Sequence, residues 1–565
     1  MESSPYRSKP WLDRYAPHVP AELPPPTRSM IDLFEDSARR RPDTDAARYF
    51  DTAVSHTELD RLAEGFAALL SRHGIGKGER VAVYLQNNPQ FLVAQYGAWK
   101  RGCIVVPINP MLKARELDYH LNDSGTRALV CLESLYRDVA REVIPDTSVE
   151  VVVTTSELDL IRGEVPEPLQ GSRKLYFDET VDLMQSTENG GADLDVRTPV
   201  SPEDEAYIVY TSGTTGKPKG AVETHSNVAF NAEVYRTWMR IGDEDSVFGV
   251  APLFHITGLV GHAALAGLAG VPLVLLHRFE PGEGLRLIQK WRPTMTVGAI
   301  TAFISMMNAP EAENADLSSL TKCYSGGAPI APSITEGFEE RFGVYIHNIY
   351  GLTESNSPTH ATPLGGRAPV DETSGALSVG VPVPSCDARL VSLEDPTQEV
   401  PVGEPGEFAV KGPMIFREYW NKPEETEQAS AEGYFLTGDV AVMDEAGWFY
   451  IVDRKKDMIN AGGYKVWPRE VEDVLYTHPR VKEAAVVGVP DEYRGETVHA
   501  FVALKNPGNH KNLEESAEGV PTQEDLISFC KRHMADYKYP RHVSFLDEIP
   551  KTATGKFLRR ELRDL

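Results

Sequence analysis

Cysteine is scarce in this 565-residue chain, and its five cysteines stand far apart with no CxxC pair. This spacing argues against a disulfide framework and against a zinc knuckle. Basic residues are also few, with 57 Lys and Arg against 83 Asp and Glu, which gives a formal net charge of -26. Because such a charge repels a phosphate backbone, we expect no nucleic-acid partner. The cysteine usage fits a reducing, cytoplasmic environment.

Residues 246–277 contain no Asp, Glu, Lys or Arg, although the run is long enough to span a bilayer. It also carries two prolines and five glycines, which interrupt a membrane helix. We therefore predict a buried strand, helix and strand in a soluble core, and no integral membrane segment. The first residues of the chain lack an apolar stretch, so we expect no signal peptide.

The length predicts more than one domain, because single cores stop growing at about 250 to 300 residues. Residues 81–85, 90–100 and 103–106 have the pattern of a strand, a helix and a strand. This βαβ unit predicts a parallel pair of strands. Residues 379–410 alternate Val, Pro and Gly, which indicates a β-rich subdomain. The last part, of about a hundred residues, mixes helix and strand signals.

A glycine- and hydroxyl-rich stretch, YTSGTTGKPKG, occupies residues 210–220 after an apolar run typical of a buried strand. A helix is predicted from Asn227 with Ser226 as its cap, so we expect a strand-to-helix loop. Glycines, hydroxyls, exposed backbone N–H groups and lysines are suited to surround an oxyanion. The predicted phosphate loop comprises Thr211, Ser212, Gly213, Thr214, Thr215, Gly216, Lys217 and Lys219.

This loop has two alternative interpretations. A Walker A loop is excluded, because its first glycine would have to stand at Thr211, and Pro218 follows Lys217 where a hydroxyl is required. A solvated Gly/Ser/Thr linker is the second alternative, but linkers seldom follow an apolar strand so closely.

Five further motifs follow in order: SGGAP at 325–329, YGLTE at 350–354, YFLTGD at 434–439, DRKKD at 453–457 and PKTATGK at 550–556. Together with the glycine loop, they resemble the adenylate-forming enzymes, a superfamily of acyl-CoA synthetases, peptide-synthetase adenylation domains and beetle luciferases. Residues 30–106 also resemble the opening of that family. The segment around 453–498 is most similar to bacterial medium- and long-chain fatty acyl-CoA ligases.

The resemblance implies an α/β fold. A large N-terminal AMP-binding domain, residues 1–455, would contain two α/β sheets and a β-rich subdomain. A small mobile α+β lid domain, residues 456–565, would follow and carry the catalytic lysine.

The resemblance also implies an ATP site and bound Mg²⁺. The walls of an adenine slot would be formed by Gly326, Gly327, Ala328, Tyr350 and Gly351. Two glycines permit a flat purine to lie against the backbone, and a tyrosine ring stacks on it.

Other family positions imply contacts to the phosphates, the ribose and the metal. Thr353 would contact the α-phosphate, and Glu354 would hold Mg²⁺, a hard cation suited to carboxylate oxygen. Asp439 and Arg454 would contact the ribose.

The remaining implied site residues concern catalysis and coenzyme A. Lys556 matches the catalytic lysine, and His255 stands at the mouth of the acyl pocket. Lys456 occupies the hinge position between the domains. Gly462 and Gly463 would line the approach of the thiol.

The implied activity is that of an ATP-dependent carboxylic acid:CoA ligase that forms acyl-AMP and then acyl-CoA. Residues 246–277 offer no acid to pair with a substrate ammonium, so an amino acid is disfavoured. Their apolar character favours a medium- or long-chain fatty acid, which could bring the enzyme transiently to a membrane surface. An aryl acid is the alternative substrate. The alternative functions are a luciferase-like oxygenase and a non-catalytic acyl-AMP sensor, although a sensor is expected to lack Lys556 or Glu354.

Overall fold

The computed structural model describes residues 4–188, 197–211, 217–328, 330–371, 375–461, 464–491, 495–505, 520–551, 557–563 and 565. Within these ranges the strands assemble into four β-sheets, here called sheets A to D. Sheets A and B are large and carry helices, sheet C is β-rich, and sheet D lies in the C-terminal part. This architecture confirms the predicted α/β fold class.

Sheet A is a mixed sheet whose central strands pair in parallel. Its short strands are largely buried, because helices and the other sheets cover its faces. In spatial order its strands are Val381–Pro382, Ser357–Ala361, His347–Leu352, Lys322–Ser325, Met295–Gly298, Val247–Phe248, Leu273–Leu275, Asp45–Tyr49 and Thr52–Ser55.

Sheet B contains the predicted βαβ unit. Its strands Arg80–Tyr84 and Ile104–Pro107 pair in parallel, and the helix Pro89–Lys100 that connects them is buried along its whole length. In spatial order the strands are Glu418–Tyr419, Lys219–Thr224, Glu205–Thr211, Ile104–Pro107, Arg80–Tyr84, Ala128–Leu132, Val151–Thr155 and Val181–Asp182.

The other two sheets are mainly antiparallel. Sheet C contains Asp387–Val391, Gly406–Lys411, Tyr434–Met443, Ser430–Ala431 and Phe449–Arg454, which confirms the predicted β-rich subdomain. Sheet D contains Tyr464–Val466, Ile459–Ala461, Gly495–Leu504, Val481–Asp491 and His542–Phe545, and it has its own apolar core.

Helices cover both large sheets and pack on both faces of sheet D. In chain order the longer helices are Met30–Arg40, His56–Arg72, Pro89–Lys100, Ala114–Ser124, His225–Trp238, Pro281–Trp291, Ile300–Asn308, Pro332–Phe342, Pro468–Tyr476 and Gln523–His533. Shorter helices span Leu183–Glu188, Pro423–Gln428 and Arg559–Arg563, and helical turns run through 133–146 and 256–269.

The glycine loop corrects one prediction. Strand Glu205–Thr211 pairs antiparallel with Lys219–Thr224, with Thr211 opposite Lys219, so the loop connects two strands and not a strand and a helix. The next helix, His225–Trp238, has Thr224 as its cap in place of Ser226. The second strand pairs along its length with Glu205–Thr211 and, on its other side, with the distant strand Glu418–Tyr419.

The acid-free run 246–277 is folded as predicted. It forms strand Val247–Phe248, helical turns through 256–269, and strand Leu273–Leu275, which pairs with the first strand. In the described part of the chain, no helix has the length and apolar character needed to cross a membrane. All five cysteines are buried and form no disulfide.

Asn87 joins sheet B to the segment that carries His255. Its buried side-chain amide donates to the carbonyl oxygens of Gly249 and Ala251 at 3.1 and 3.0 Å. Its Oδ1 accepts from the backbone N–H of Leu253 at 2.8 Å. Because unpaired buried polar groups are costly, these bonds fix the path of the chain that leads to His255.

Candidate active site

A large open cavity of about 1920 Å³ lies where strands of sheets A, B and C end. Ligands bind at such strand ends in open α/β sheets. Many residues singled out from the sequence meet in its lining, although they are far apart along the chain. They are Thr211, Lys217, Lys219, His255, Gly326, Gly327, Tyr350, Gly351, Thr353, Glu354 and Arg454.

Asp439 is a buried carboxylate that lies beside the cavity lining but not in it, and two residues of the lining donate to it. The Tyr350 hydroxyl donates to its Oδ2 at 2.6 Å, and Arg454 Nε lies 2.8 Å from its Oδ1. Burial, and then the Asp439 charge, raises the pKa of Tyr350 well above its ordinary value, so the phenol remains a donor. The Asp439 charge likewise raises the pKa of Arg454. Sheets A and C are joined here.

The two predicted walls of the adenine slot are neighbours. Gly326 donates its backbone N–H to Gly298, and a Cβ at Gly326 would lie 2.4 Å from the carbonyl oxygen of Ile349. A Cβ at Gly351 would lie 1.6 Å from the carbonyl oxygen of Ser357. Real Cβ atoms do not approach so closely, so glycine is required at both positions. Phe408 stacks on Tyr350 with ring centroids 5.4 Å apart.

Glu354 is held by its backbone and by its side chain. The backbone N–H of Phe416 donates to its carbonyl oxygen at 2.9 Å, and the Tyr419 hydroxyl donates to its Oε1 at 2.8 Å. Oε2 accepts no hydrogen bond from the described residues. Burial, and then the Glu354 charge, raises the pKa of Tyr419, which keeps it a donor.

This arrangement fits Mg²⁺. The ion takes oxygen ligands, and in nucleotide sites it commonly uses one or two carboxylates together with phosphate oxygens. Glu354 supplies one carboxylate in the cavity wall, on the same cavity as Lys217, Lys219 and Arg454.

The turn after Glu354 is strained and firmly anchored. Asn356 and Ser357 both have positive φ, at 51° and 84°. The side-chain amide of Asn231 donates to the carbonyl oxygens of Ser355 and Asn356 at 2.9 and 2.7 Å. Such backbone angles cost free energy and persist only when the surroundings impose them.

Glu223 lies beneath the same turn. It is completely buried, and the side-chain amide of Asn356 donates to its Oε2. Burial raises the pKa of Glu223 well above its ordinary value, the Asn356 hydrogen bond acts in the opposite direction, and the Glu354 charge raises it further. Burial therefore favours the protonated form of Glu223 in the folded protein.

The base of the glycine loop is anchored to helix Ala114–Ser124. The Tyr119 hydroxyl donates to the carbonyl oxygen of Pro218 at 2.8 Å, and Lys217 Nζ lies 5.3 Å from the Tyr119 ring centroid. Lys219 Nζ lies 4.7 Å from the ring centroid of Tyr419. Both lysines therefore lie over aromatic faces at one end of the cavity.

His255 lies in the cavity wall, next to Phe254 and Ile256, which also line it. Its Nδ1 accepts from the backbone N–H of Thr257 at 3.3 Å. His262, a second histidine of the acid-free run, is completely buried, and burial lowers its pKa to about 4.

The C-terminal part reaches the cavity through Lys551, whose Nζ lies 2.6 Å from Glu483 Oε1. Lys455 is also in the lining, whereas Lys456 and Ala328 are described residues outside it. Some of the sequence-predicted site residues lie outside the described part of the chain. They are Ser212, Gly213, Thr214, Thr215, Gly216, Gly462, Gly463 and Lys556.

Sequence reasoning missed several residues that shape the site: Tyr119, Glu223, Asn231, Asn356 and Tyr419. Asn356 lies two residues after the YGLTE motif, and this position was a signal that could have identified it as part of the site. Tyr419 gave no such signal, because its partner Glu354 is 65 positions away in the chain.

Solved structures share this fold. An anthranilate CoA ligase in complex with anthranoyl-AMP superposes with a TM-score of 0.83 at 26% identity, covering 96% of this chain and 98% of that one. Fold and cavity together define an AMP-forming acyl-CoA synthetase of the adenylate-forming type.

Sequence comparisons agree. Residues 34–420 match the AMP-binding enzyme family, and residues 470–556 match the AMP-binding enzyme C-terminal domain. A long-chain-fatty-acid–CoA ligase of Bacillus subtilis (strain 168) is 38% identical, covering 98% of this chain and 97% of the relative. A feruloyl-CoA synthase of an Amycolatopsis species is 33% identical, covering 93% and 96%. The chain belongs to the AMP-binding enzyme family, for which ATP and CoA fit as co-substrates.

The buried acid predicts a pH effect on stability. Because burial raises the pKa of Glu223 in the folded protein above its unfolded value, the stability that it contributes is full below the unfolded pKa and falls as the pH rises towards the folded pKa. For Glu223→Gln we expect this fall to disappear. The wild-type free energy of unfolding should decline relative to the variant as the pH rises above the unfolded pKa, by at most about 1.4 kcal/mol per pH unit, measured by urea denaturation.

Glu418→Gln is the matched control, because Glu418 is exposed on the neighbouring strand and pairs opposite Val222. The plot of its free energy of unfolding against pH should run parallel to that of the wild type. Parallel curves for Glu223→Gln and wild type would show that Glu223 is ionised in the fold.

Proposed function

We propose that this enzyme ligates medium- or long-chain fatty acids to coenzyme A through an acyl-AMP intermediate. The observation that supports this substrate is an uncharged, largely apolar wall on the same cavity as Glu354 and the two lysines. The wall is built from the acid-free run and from helix Ile300–Asn308 with the strand before it. Its members include Val250, Phe254, Ile256, Val297, Gly298, Ala299, Thr301, Ala302 and Ser305.

A carboxylate does not react with a thiol, because its leaving group would be oxide. In the first step a carboxylate oxygen attacks the α-phosphorus of MgATP, and the bond to the bridging oxygen of pyrophosphate breaks. In the second step the thiol sulfur attacks the acyl carbon, the thiol proton is released, and AMP leaves. Both steps depend on positioning and on stabilising negative charge.

The phosphates are assigned to one end of the cavity. Lys217, Lys219 and the glycine loop would hold the departing pyrophosphate, because cations and backbone N–H groups bind oxyanions. Glu354 would hold the Mg²⁺ of MgATP, which offsets phosphate charge, and Thr353 would contact the α-phosphate. Lys556 would bridge the carboxylate and the α-phosphate.

The nucleoside is assigned to the walls formed by the SGGAP and YGLTE segments. The glycines permit the adenine to lie against the backbone, and Tyr350 would stack on it. Asp439 and Arg454 would bind the ribose hydroxyls. The hydrogen bonds of Asp439 to Tyr350 and Arg454 support this assignment, because they hold the carboxylate at the cavity edge.

An aryl acid is the second candidate substrate. The feruloyl-CoA synthase relative and the anthranilate CoA ligase structure favour it, since both are named for aryl acids. A flat ring would need a shorter pocket than an acyl chain.

The substrate is tested by following pyrophosphate release and thioester formation with purified protein, MgATP and CoA. The panel contains short, medium and long straight-chain acids, together with benzoate and hydroxycinnamates. We expect kcat/KM to rise with chain length, because each buried CH₂ contributes about 0.8 kcal/mol. A preference for the aryl acids would favour the second candidate, and release without any acid-dependent product would contradict both.

Lys556→Ala should separate the two half-reactions. Loss of a cation that stabilises the transition state should reduce adenylate formation by at least about a hundredfold, by analogy with loss of an oxyanion donor. Thioester formation from supplied acyl-AMP should be retained. Single-turnover assays of each half-reaction measure this difference.

Lys482→Ala, a change at an exposed position of sheet D, serves as the control and should leave both half-reactions unchanged. Equal losses of the two half-reactions in Lys556→Ala would contradict the role of the lysine in adenylation.

We further infer that residues 456–565 form a lid that rotates about Lys456 between the half-reactions and brings Gly462 and Gly463 to the thiol. A hinge absorbs a large change in φ and ψ, whereas proline fixes φ. Lys456→Pro should therefore retain ATP–pyrophosphate exchange and lose acyl-CoA formation. Lys456→Ala, which keeps φ free, is its control. Survival of both reactions in Lys456→Pro would place the hinge elsewhere.

A further inference from the structure

Tyr419 lies between the two groups assigned to the phosphates. Its hydroxyl donates to Glu354 Oε1 at 2.8 Å, and its ring centroid lies 4.7 Å from Lys219 Nζ. The side chain is buried, and Phe416 packs against its ring at 4.8 Å between centroids. One side chain therefore contacts both Glu354 and Lys219.

The segment that carries Tyr419 is rigidly fixed. Strand Glu418–Tyr419 pairs with Lys219–Thr224, and the backbone N–H of Trp420 donates to Gly220 at 2.7 Å. The backbone N–H of Tyr419 donates to Thr426 Oγ1 at 2.9 Å. Because the backbone is held on both sides, the hydroxyl has a defined position relative to the glycine loop.

The same segment holds the backbone of Glu354. Phe416 donates its N–H to the Glu354 carbonyl oxygen at 2.9 Å. Residues 416–419 therefore bond to both the backbone and the side-chain carboxylate of Glu354. A carboxylate with one oxygen bonded to a fixed donor loses rotational freedom. Its second oxygen, Oε2, is then held in one direction, with no hydrogen bond from the described residues.

We propose that Tyr419 is a positioning residue, whose hydroxyl orients the Glu354 carboxylate for the Mg²⁺ that accompanies ATP. The inference rests on the proposed role of Glu354 in holding that metal. A carboxylate that is already oriented loses less side-chain entropy when the metal binds. The hydroxyl therefore lowers the Mg²⁺ concentration that the enzyme requires, while the ring remains in contact with Lys219.

The test is Tyr419→Phe in the full chain. Phenylalanine retains the ring against Phe416 and Lys219 and removes only the hydroxyl. The readout is binding of an ATP analogue with a methylene group between the α- and β-phosphorus, measured by calorimetry as Mg²⁺ is varied. Electron paramagnetic resonance of Mn²⁺ in place of Mg²⁺ reports the metal directly.

We expect the metal concentration for half-maximal analogue binding to rise by about tenfold, which corresponds to about 1.4 kcal/mol. Binding of the analogue at saturating Mg²⁺ should stay within about twofold of the wild type, because the ring contact with Lys219 is retained. A residue with only a packing role would leave the metal dependence unchanged.

Tyr434→Phe is the matched control. The Tyr434 hydroxyl donates to Asp387 Oδ2 at 2.8 Å, and Arg389 lies over its ring at 4.0 Å, but Tyr434 is not part of the cavity lining. This variant loses an equivalent hydroxyl-to-carboxylate bond in sheet C. Its metal dependence should equal that of the wild type.

A second comparison uses Glu354→Gln as the background. If the hydroxyl acts through the carboxylate, Tyr419→Phe should add no further shift in metal dependence to Glu354→Gln. An unchanged metal dependence in Tyr419→Phe, or an additive shift in the double variant, would overturn the proposal. A lower stability of Tyr419→Phe does not affect these outcomes, because binding is compared at temperatures where both proteins are folded.

Failure of the proposed function has a different signature. If wild-type protein binds the analogue without any metal dependence, or if Glu354→Gln leaves that dependence unchanged, the assignment of Glu354 to the metal is wrong. If Glu354→Gln changes the metal dependence and Tyr419→Phe does not, only the positioning role of Tyr419 is wrong.

Discussion

The cavity depends on one buried carboxylate. Asp439 is almost fully removed from solvent, and a buried charge is tolerated only when it is paired and hydrogen-bonded. Tyr350 and Arg454 meet that need from different strands, so sheet C is held against the end of sheet A. Removing either donor would leave a charge in a poorly solvated place. The same contact keeps Tyr350 beside Gly326, Gly351 and the open space of the cavity.

A second set of contacts connects the residues at the end of the cavity to which the phosphates are assigned. Strand Lys219–Thr224 carries Lys219 at one end and Glu223 near the other, and it pairs with the strand that carries Tyr419. Tyr419 then reaches Glu354, whose turn is anchored by Asn231 and Asn356. A cation–π contact links Lys219 to Tyr419, and a hydrogen bond links Tyr419 to Glu354, so the three side chains form one connected group. The geometry at Glu354 is therefore set by residues that contact no substrate in the proposed mechanism.

The predictions from sequence succeeded where chemistry is local. The βαβ unit was predicted correctly because the hydrophobic pattern of a segment reports which of its residues are buried. The prediction failed after Thr211: the glycine loop was expected to lead into a helix, but it leads into strand Lys219–Thr224. That strand pairs with Glu205–Thr211 on one side and with the distant Glu418–Tyr419 on the other. Local propensity contains no information about a partner about two hundred positions away.

The sequence by itself determined the α/β class, the family and several of the polar groups around the cavity, since these follow from residue type, spacing and motif order. Only the tertiary structure decided which oxygen of Glu354 is bonded, which ring lies under Lys219, and that Glu223 is buried beside Asn356. The physical reason is that hydrogen bonds and desolvation depend on distances of a few ångströms. Those distances are set by the packing of four sheets and are not encoded in any short segment.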